Sequence, residues 1–326
     1  MDLFQIITEI EKVDPEVYDR FDSRRRVFKH LTGMGKKLTA AAVPGFIGAL
    51  FNKAYGQTAG PSVNDVLNLA LQLEYLEYYF YDTGLKTTGL IPAADVPAIE
   101  KIRNDEGGHI RVLREALGTA AIPDPGRDAF DYSGGRGSKI GPFAAALLPT
   151  PAGTDLYFGV AQSFVDTGVR AYKGGAPFLM PNKDILETAL NIHSVEARHS
   201  SHIRTIRRGR AAGVTGAGAA TTAPNADLKK GPKSWISLDD QGGPSPDTTP
   251  STRDVYGPGT NPPPAGVPTG ITFPGEENVV QATRTITADS AISAAAASEA
   301  FDEPLDYVKV KAIARNFVDN RTQLFV

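Results

Sequence analysis

The sequence contains no cysteine among its 326 residues. This absence excludes disulfide bonds, zinc sites built on thiolates and cysteine nucleophiles. Long apolar runs are also missing, because the run at residues 38–51 is shorter than the roughly 20 residues that an ordinary membrane-spanning helix needs. The formal net charge of −3 shows no excess of basic residues. We therefore expect neither a membrane span nor a nucleic-acid partner.

Residues 1–60 form a leader that has two interpretations. Residues 3–21 have an amphipathic, helix-like pattern, and the segment SRRRVFK at residues 23–29 resembles the twin-arginine export motif. If the leader is such a signal, the protein is exported to the periplasm or the cell surface. If it is instead a retained amphipathic helix, the protein is cytoplasmic, and the sequence leaves both alternatives open.

Helical periodicity dominates residues 61–212, which we predict to be one all-α domain. The pattern indicates four helices: A at about 63–83, B at about 95–118, C at about 154–173 and D at about 180–208. A long stretch rich in glycine, proline and aspartate, residues 119–153, separates B from C. These features predict an antiparallel four-helix bundle that pairs A with B and C with D, with a long crossover between B and C.

The composition changes at residues 213–326. Glycine, proline, threonine and serine are frequent there, and no apolar stripe continues past Arg210. This pattern predicts an irregular, extended arm rather than a second domain. Periodicity returns only at about 305–318, where we expect a short docking helix capped by Asp302 or Asp306.

Three carboxylates interrupt apolar stripes of the predicted bundle. Glu74, Glu106 and Glu196 each lie in the middle of a stripe that is otherwise apolar, where an isolated charge is very costly. His109 and His199 follow two of them at the spacing i, i+3, which presents both side chains to one point. Two Glu-x-x-His motifs on separate helices are typical of bundles that bind a pair of metal ions between carboxylates and imidazoles.

Six stretches of the chain resemble one known family. They are LNLALQLEYLEYYFY (67–81), IRNDEGGHIRVLREALG (102–118), SFVDTGVRAYKGGAP (163–177), IHSVEARHSSHIR (192–204), FPGEENVVQ (273–281) and EAFDEPLDYVKVKAIA (299–314). On these residues the chain resembles the bacterial ferritin-like family related to plant desiccation-related proteins. The resemblance implies a ferritin-like bundle with a di-iron-type site, and a role in the response to stress.

The resemblance also implies which residues bind the metal. Glu74 would be the ligand from helix A, Glu106 and His109 those from helix B, and Glu196 and His199 those from helix D. Tyr81 would lie beside the ligands, seven residues after Glu74, and Tyr172 would mirror it on helix C.

Helix C departs from the family pattern. Its mirrored ligand position is occupied by Val165, which cannot bind a metal ion. Gln162, one turn earlier, is a further candidate through its carbonyl oxygen, whereas Asp166 points about a quarter turn away. Glu77 is another candidate ligand, but we interpret it as the partner of a lysine or arginine across the bundle.

We therefore expect two unequal metal positions. The position formed by Glu74, Glu106 and His109 keeps its carboxylates, whereas the position near Glu196 and His199 should bind metal more weakly or remain empty. A complete site would hold two iron ions and a degenerate one would hold one ion or none, with manganese as the alternative metal.

Two functions remain open, and the sequence does not decide whether the protein is an enzyme. The first is a ferritin-like metal-binding protein that oxidises Fe(II) or scavenges peroxide in stress protection. The alternative is a non-enzymatic, structural or self-assembling protein that retains the bundle. In both cases the leader and the arm predict a homo-oligomer, because such segments can reach neighbouring subunits.

Overall fold

A computed structural model describes residues 60–214, 226–244, 252–288 and 291–326 of the chain. The predicted leader, with both of its interpretations, lies outside the described residues except for Gly60.

Four long helices form the main body of the protein. They are α1 (Val63–Lys86), α2 (Val96–Leu117), α3 (Pro151–Leu179) and α4 (Lys183–Ala211). Three of them begin where a polar side chain accepts a hydrogen bond from a backbone N–H of the first turn: Ser62 for α1, Thr150 for α3 and Asn182 for α4. Helix α3 is longer than predicted, because Thr150 and the following proline start it earlier than residue 154 and it continues through Pro177.

The four helices pack as two antiparallel pairs. Helix α1 packs against α2 and α3 packs against α4, and the two pairs contact each other mainly through α1 and α3. Short connections, 87–95 and 180–182, join the members of each pair, whereas residues 118–150 cross from α2 to α3. The predicted all-α, antiparallel four-helix bundle with a long crossover is confirmed.

The crossover is attached to both the bundle and the chain end. The hydroxyl of Tyr132 donates a hydrogen bond of 2.9 Å to the carbonyl oxygen of Leu76 in α1. Phe130 forms an isolated β-bridge with Val318, and the N–H of Asp131 donates to the carbonyl oxygen of Phe317 at 2.7 Å. The crossover is thus held between α1 and the C-terminal segment.

The described part of the arm has only short regular elements, as the sequence predicts. They are α5 (Arg253–Tyr256), β1 (Val280–Gln281), which pairs antiparallel with β2 (Arg284–Thr285), α6 (Ala294–Ser298) and α7 (Tyr307–Ala314). Of the two candidate caps for the last helix, Asp306 is the correct one, since its side chain accepts from the N–H groups of Val308 and Lys309. Buried arm residues, including Tyr256, Leu305 and Phe317, belong to the same apolar core as the bundle.

The arm lies directly on α3. A Cβ atom on Gly174 would lie 1.9 Å from the carbonyl oxygen of Leu305, so only glycine allows this approach. Beside it, the N–H of Leu305 donates to the carbonyl oxygen of Arg170 at 3.1 Å. The described arm therefore packs on its own bundle.

Among the helices that the structure describes, none is both long and apolar enough to cross a membrane.

Candidate metal centre

The five candidate ligands named from the sequence come together inside the bundle. Glu74 lies on α1, Glu106 and His109 on α2, and Glu196 and His199 on α4, and all five side chains are buried. One potential ligand atom from each of Glu74, Glu106, His109 and Glu196 lies within 4.8 Å of the others. These atoms come from three helices, so the bundle rather than a local turn creates the group.

His109 lies at the centre of the group. Its Nδ1 is 3.1 Å from Oε2 of Glu74, 3.0 Å from Oε2 of Glu106 and 3.5 Å from Oε1 of Glu196. Burial by itself lowers the pKa of His109, but the charge of Glu74 and the hydrogen bond with Glu106 raise this pKa to about 10. Without metal, His109 is therefore a cation that partly compensates the carboxylates.

His199 lies at the edge of the group. Its Nδ1 is 3.1 Å from Oε1 of Glu106 and 3.8 Å from Oε1 of Glu196, although neither contact has the alignment of a hydrogen bond. Its Nε2 contacts Oδ2 of Asp105 at 3.3 Å. Asp105 thus orients the imidazole from outside, as carboxylates often do for metal-binding histidines. Sequence reasoning missed this residue, although it directly precedes the first Glu-x-x-His motif.

Several carboxylate oxygens in the group have no hydrogen-bond partner among the described residues. They are Oε1 of Glu106, both oxygens of Glu196 and Oε2 of Glu77. Buried polar atoms are nearly always hydrogen-bonded, so unpaired ones need an explanation. A divalent cation is such an explanation, because hard cations take oxygen ligands and iron or manganese also accepts imidazole. The residues present therefore fit a metal ion.

The carboxylates differ in their affinity for protons. Burial raises the pKa of Glu196 and that of Glu77 well above the ordinary value, and the charge of Glu106 adds to this. Burial also opposes ionisation of Glu106, but its hydrogen bond with His109 and the proximity of His199 lower its pKa to about 2. In the metal-free protein Glu106 therefore releases its proton more readily than Glu77 and Glu196, and a metal ion would compete with protons for the latter two carboxyls.

Within the part of the chain that the structure describes, no lysine or arginine pairs with Glu77, contrary to our interpretation of the sequence. It is 4% exposed, and the charges that act on it most strongly are those of Glu106, Glu74 and His109. It lies one helical turn after Glu74 on α1 and thus points to the same interior face.

Gln162 does not join the group, so this candidate ligand is not supported. Its Nε2 donates to the hydroxyl of Tyr256 at 3.0 Å, and its carbonyl oxygen accepts a hydrogen bond of 2.5 Å from Arg207. The oxygen that would bind metal is therefore occupied. Val165 is fully buried in the apolar core and supplies no ligand.

The two tyrosines lie beside the carboxylates. The hydroxyl of Tyr172 donates a hydrogen bond to Oε1 of Glu74. The hydroxyl of Tyr81 is buried without a hydrogen-bond partner among the described residues, and burial together with the charge of Glu77 raises its pKa well above the ordinary value. Both tyrosines are thus neutral, and Tyr172 holds one candidate ligand in place.

Comparison with known proteins gives one match. The family model of the ferritin-like domain matches residues 62–208, which include α1, α2 and α3 and nearly all of α4. Searches of curated proteins and of solved structures each gave no match. The matched segment is somewhat less than half of the chain and contains all five candidate ligands. The four-helix bundle is thus similar to ferritin-like domains, whereas the relation to desiccation-related proteins stays a prediction.

Proposed function

We propose that the protein is a ferritin-like metal-binding protein whose buried group binds iron, or alternatively manganese. The observation that carries this proposal is the set of unpaired carboxylate oxygens on Glu106 and Glu196, which lie beside two imidazoles in an apolar core. Two helices, α2 and α4, contribute to this set, so its convergence is not explained by local helix geometry.

The residues that would hold the metal are Glu74, Glu106, His109 and Glu196, with His199 at the edge. Bound iron would supply redox chemistry. The protein side chains have separate tasks: Tyr172 fixes Glu74 by a hydrogen bond, and burial keeps bulk water away from the ligands. Such a centre would suit oxidation of Fe(II) or removal of peroxide in stress protection.

The metal content of the natively purified protein tests this proposal. We expect elemental analysis by mass spectrometry to find iron or manganese at one or two ions per chain. Glu106→Gln should lose most of this metal, since Glu106 contacts both histidines. Wild-type protein should also oxidise added Fe(II) faster than this variant. A wild-type chain that retains no metal after purification and takes up none on addition would contradict the proposal.

The alternative is a non-enzymatic, structural or self-assembling protein. The cationic His109 favours it, because this imidazole contacts three carboxylates and compensates part of their charge without metal. In that case metal content would be negligible and would not change in Glu106→Gln. Light scattering would then show whether the chain forms the predicted homo-oligomer through its leader and arm.

A further inference from the structure

One face of α3 points to the carboxylate group. Val165, Gly168 and Tyr172 follow the spacing i, i+3, i+7 and therefore share this face. Tyr172 contacts Glu74, as described above. At Gly168, a Cβ atom would lie 3.0 Å from Oε2 of Glu196. Helix α3 thus presents Val165 where the family resemblance would place a carboxylate, and Gly168 beside the carboxylates of the other helices.

The space beside Gly168 has carboxylates on two sides. The same hypothetical Cβ atom would lie 3.4 Å from Oε1 of Glu77, which belongs to α1. Oxygens of Glu77 and Glu196 therefore face one small space that a single methyl group would nearly fill. Glycine destabilises a helix interior relative to alanine, so its presence here preserves this space at the expense of helix stability.

Neither carboxylate is satisfied by the protein. Oε2 of Glu77 and both oxygens of Glu196 have no hydrogen-bond partner among the described residues, and the two side chains are 4% and 1% exposed. Repulsion between two such carboxylates is removed by a shared cation, which brings oxygen ligands to roughly 2 Å from itself.

We propose that Glu77 supplies the carboxylate that Val165 does not, and that it binds the second metal ion together with Glu196. This inference rests on the proposed metal-binding function. It replaces the expectation of a weak second position, because α1 then contributes two ligands, Glu74 and Glu77, one helical turn apart. Helix α3 then provides room for the ion beside Gly168 and supplies no ligand to it.

The stoichiometry of Mn²⁺ bound to the full chain tests the proposal. Metal-free protein is titrated with Mn²⁺ alone, freed of excess ion by gel filtration and analysed by mass spectrometry. We expect two ions per chain for wild type and one for Glu77→Gln, whose amide has the shape of the carboxyl but cannot become an anion. The matched control is Glu187→Gln, which changes an exposed glutamate of α4 and should retain two ions.

A second variant tests the space rather than the ligand. Gly168→Ala adds the methyl group between Glu77 and Glu196, both of which end in flexible side chains. We expect it to fold, since alanine favours helix, and to bind one ion instead of two.

The outcomes separate this inference from the proposed function. If wild type binds metal but Glu77→Gln binds the same number of ions, Glu77 is not a ligand although the metal centre exists. If wild type binds no Mn²⁺ or Fe²⁺, the proposed function fails, and the assignment of Glu77 fails with it.

Discussion

The two faces of α3 bury charge in opposite ways. Gly168 and Tyr172 face the carboxylate group, whereas Asp166 and Arg170 lie on the other side of the helix and face the arm. Both faces are fully buried, so water cannot account for the difference between them.

On the arm face the charged side chains of α3, Asp166 and Arg170, meet opposite charges. Arg204 pairs with Asp166 at 2.5 Å and with Asp240 of the arm at 2.6 Å, and the hydroxyl of Tyr256 donates to Asp166 at 2.7 Å. Arg170 pairs with Glu276 at 2.9 Å. The same guanidinium donates hydrogen bonds to carbonyl oxygens of five arm residues, Val255, Gly257, Pro274, Glu303 and Pro304.

On the other face, carboxylates lie beside one another, and several of their oxygens have no hydrogen-bond partner among the described residues. Paired and hydrogen-bonded charges fix one arrangement of the arm on the bundle, whereas unpaired ones leave coordination positions open for a ligand. We therefore infer that one face of α3 holds the arm on the bundle and that the other face lies against the candidate metal ligands.

The largest expected effect is on the arm face. Arg204→Met removes the cation between Asp166 and Asp240 and leaves two buried carboxylates without it. Breaking a buried pair in this way costs about 3–5 kcal/mol. We expect urea unfolding to show a loss of this size, with metal binding retained in the fraction that still folds.

Arg210→Met is the matched control for that variant. Arg210 lies on the same helix and pairs with Asp155, but this aspartate is 62% exposed. A surface pair contributes at most about 1 kcal/mol, so the control should be nearly as stable as wild type. Equal losses in the two variants would contradict the role given to the arm face.

The next largest effect is the stabilisation of the folded chain by a metal ion bound at the carboxylate face. A metal ion that binds only the folded chain stabilises it by about 2.7 kcal/mol at a free concentration of one hundred times its Kd. We expect Mn²⁺ to raise the unfolding free energy of wild type and not that of Glu106→Gln. Glu299→Gln changes a glutamate that pairs with Lys233 of the arm and is not a candidate ligand, so it should keep the full response to metal.

The pH dependence of the metal-free protein is the third test. Glu77 and Glu196 have folded pKa values raised above 4.5 by burial, so folding binds protons that the unfolded chain releases. Their contribution to stability is complete below pH 4.5 and is lost as pH rises through the folded pKa. Each unit of pKa elevation corresponds to about 1.4 kcal/mol. We expect the unfolding free energy to fall from about pH 5 upward.

Other groups with raised pKa values, among them Glu74 and Asp240, act with the same sign and must be separated from these carboxyls. Burial raises the pKa of Glu276 on the arm face to about 8 despite Arg170, and His109 has a pKa of about 10. Glu196→Gln should flatten the pH profile in the metal-free state, and Glu276→Gln should remove a different part of it. If Glu196→Gln leaves the slope unchanged, the protonation assigned to the carboxylate group is wrong.

The fold and most of the candidate site could be predicted because their signals are periodic. Glu74, Glu106 and Glu196 stand out in apolar stripes, and the i, i+3 histidines follow from helix geometry. Glu77 had the same geometric signal, one turn after Glu74, but the choice between a ligand and an ion-pair partner depends on what lies across the bundle. That neighbour is Glu196, brought close by a glycine on a third helix.

The arm face could not be predicted from the sequence. Asp166 and Arg170 resemble ordinary surface charges in the sequence, because part of the network that pairs them comes from an arm without any period: Tyr256 bonds Asp166, and Glu276 pairs with Arg170. Gln162 was misassigned for a related reason, since Tyr256 of the arm accepts a hydrogen bond from its amide nitrogen and Arg207 of α4 donates one to its oxygen. When an irregular segment buries one face of a helix, the sequence of that helix contains no periodic pattern that reveals the burial.

The smallest expected effect distinguishes two buried tyrosines of α3. Tyr172 donates to Glu74, whereas the hydroxyl of Tyr157 has no hydrogen-bond partner among the described residues. Tyr172→Phe should lower the unfolding free energy by about 1 kcal/mol, the net value of an ordinary hydrogen bond. It should also weaken metal binding by roughly tenfold, since Glu74 loses the group that orients it.

Tyr157→Phe removes an unpaired hydroxyl, so its stability and metal affinity should stay the same or rise. Because both variants keep the aromatic ring, packing changes little and the comparison measures the hydroxyl alone. Identical behaviour of the two variants in urea unfolding and Mn²⁺ titration would show that Tyr172 does not support the metal centre.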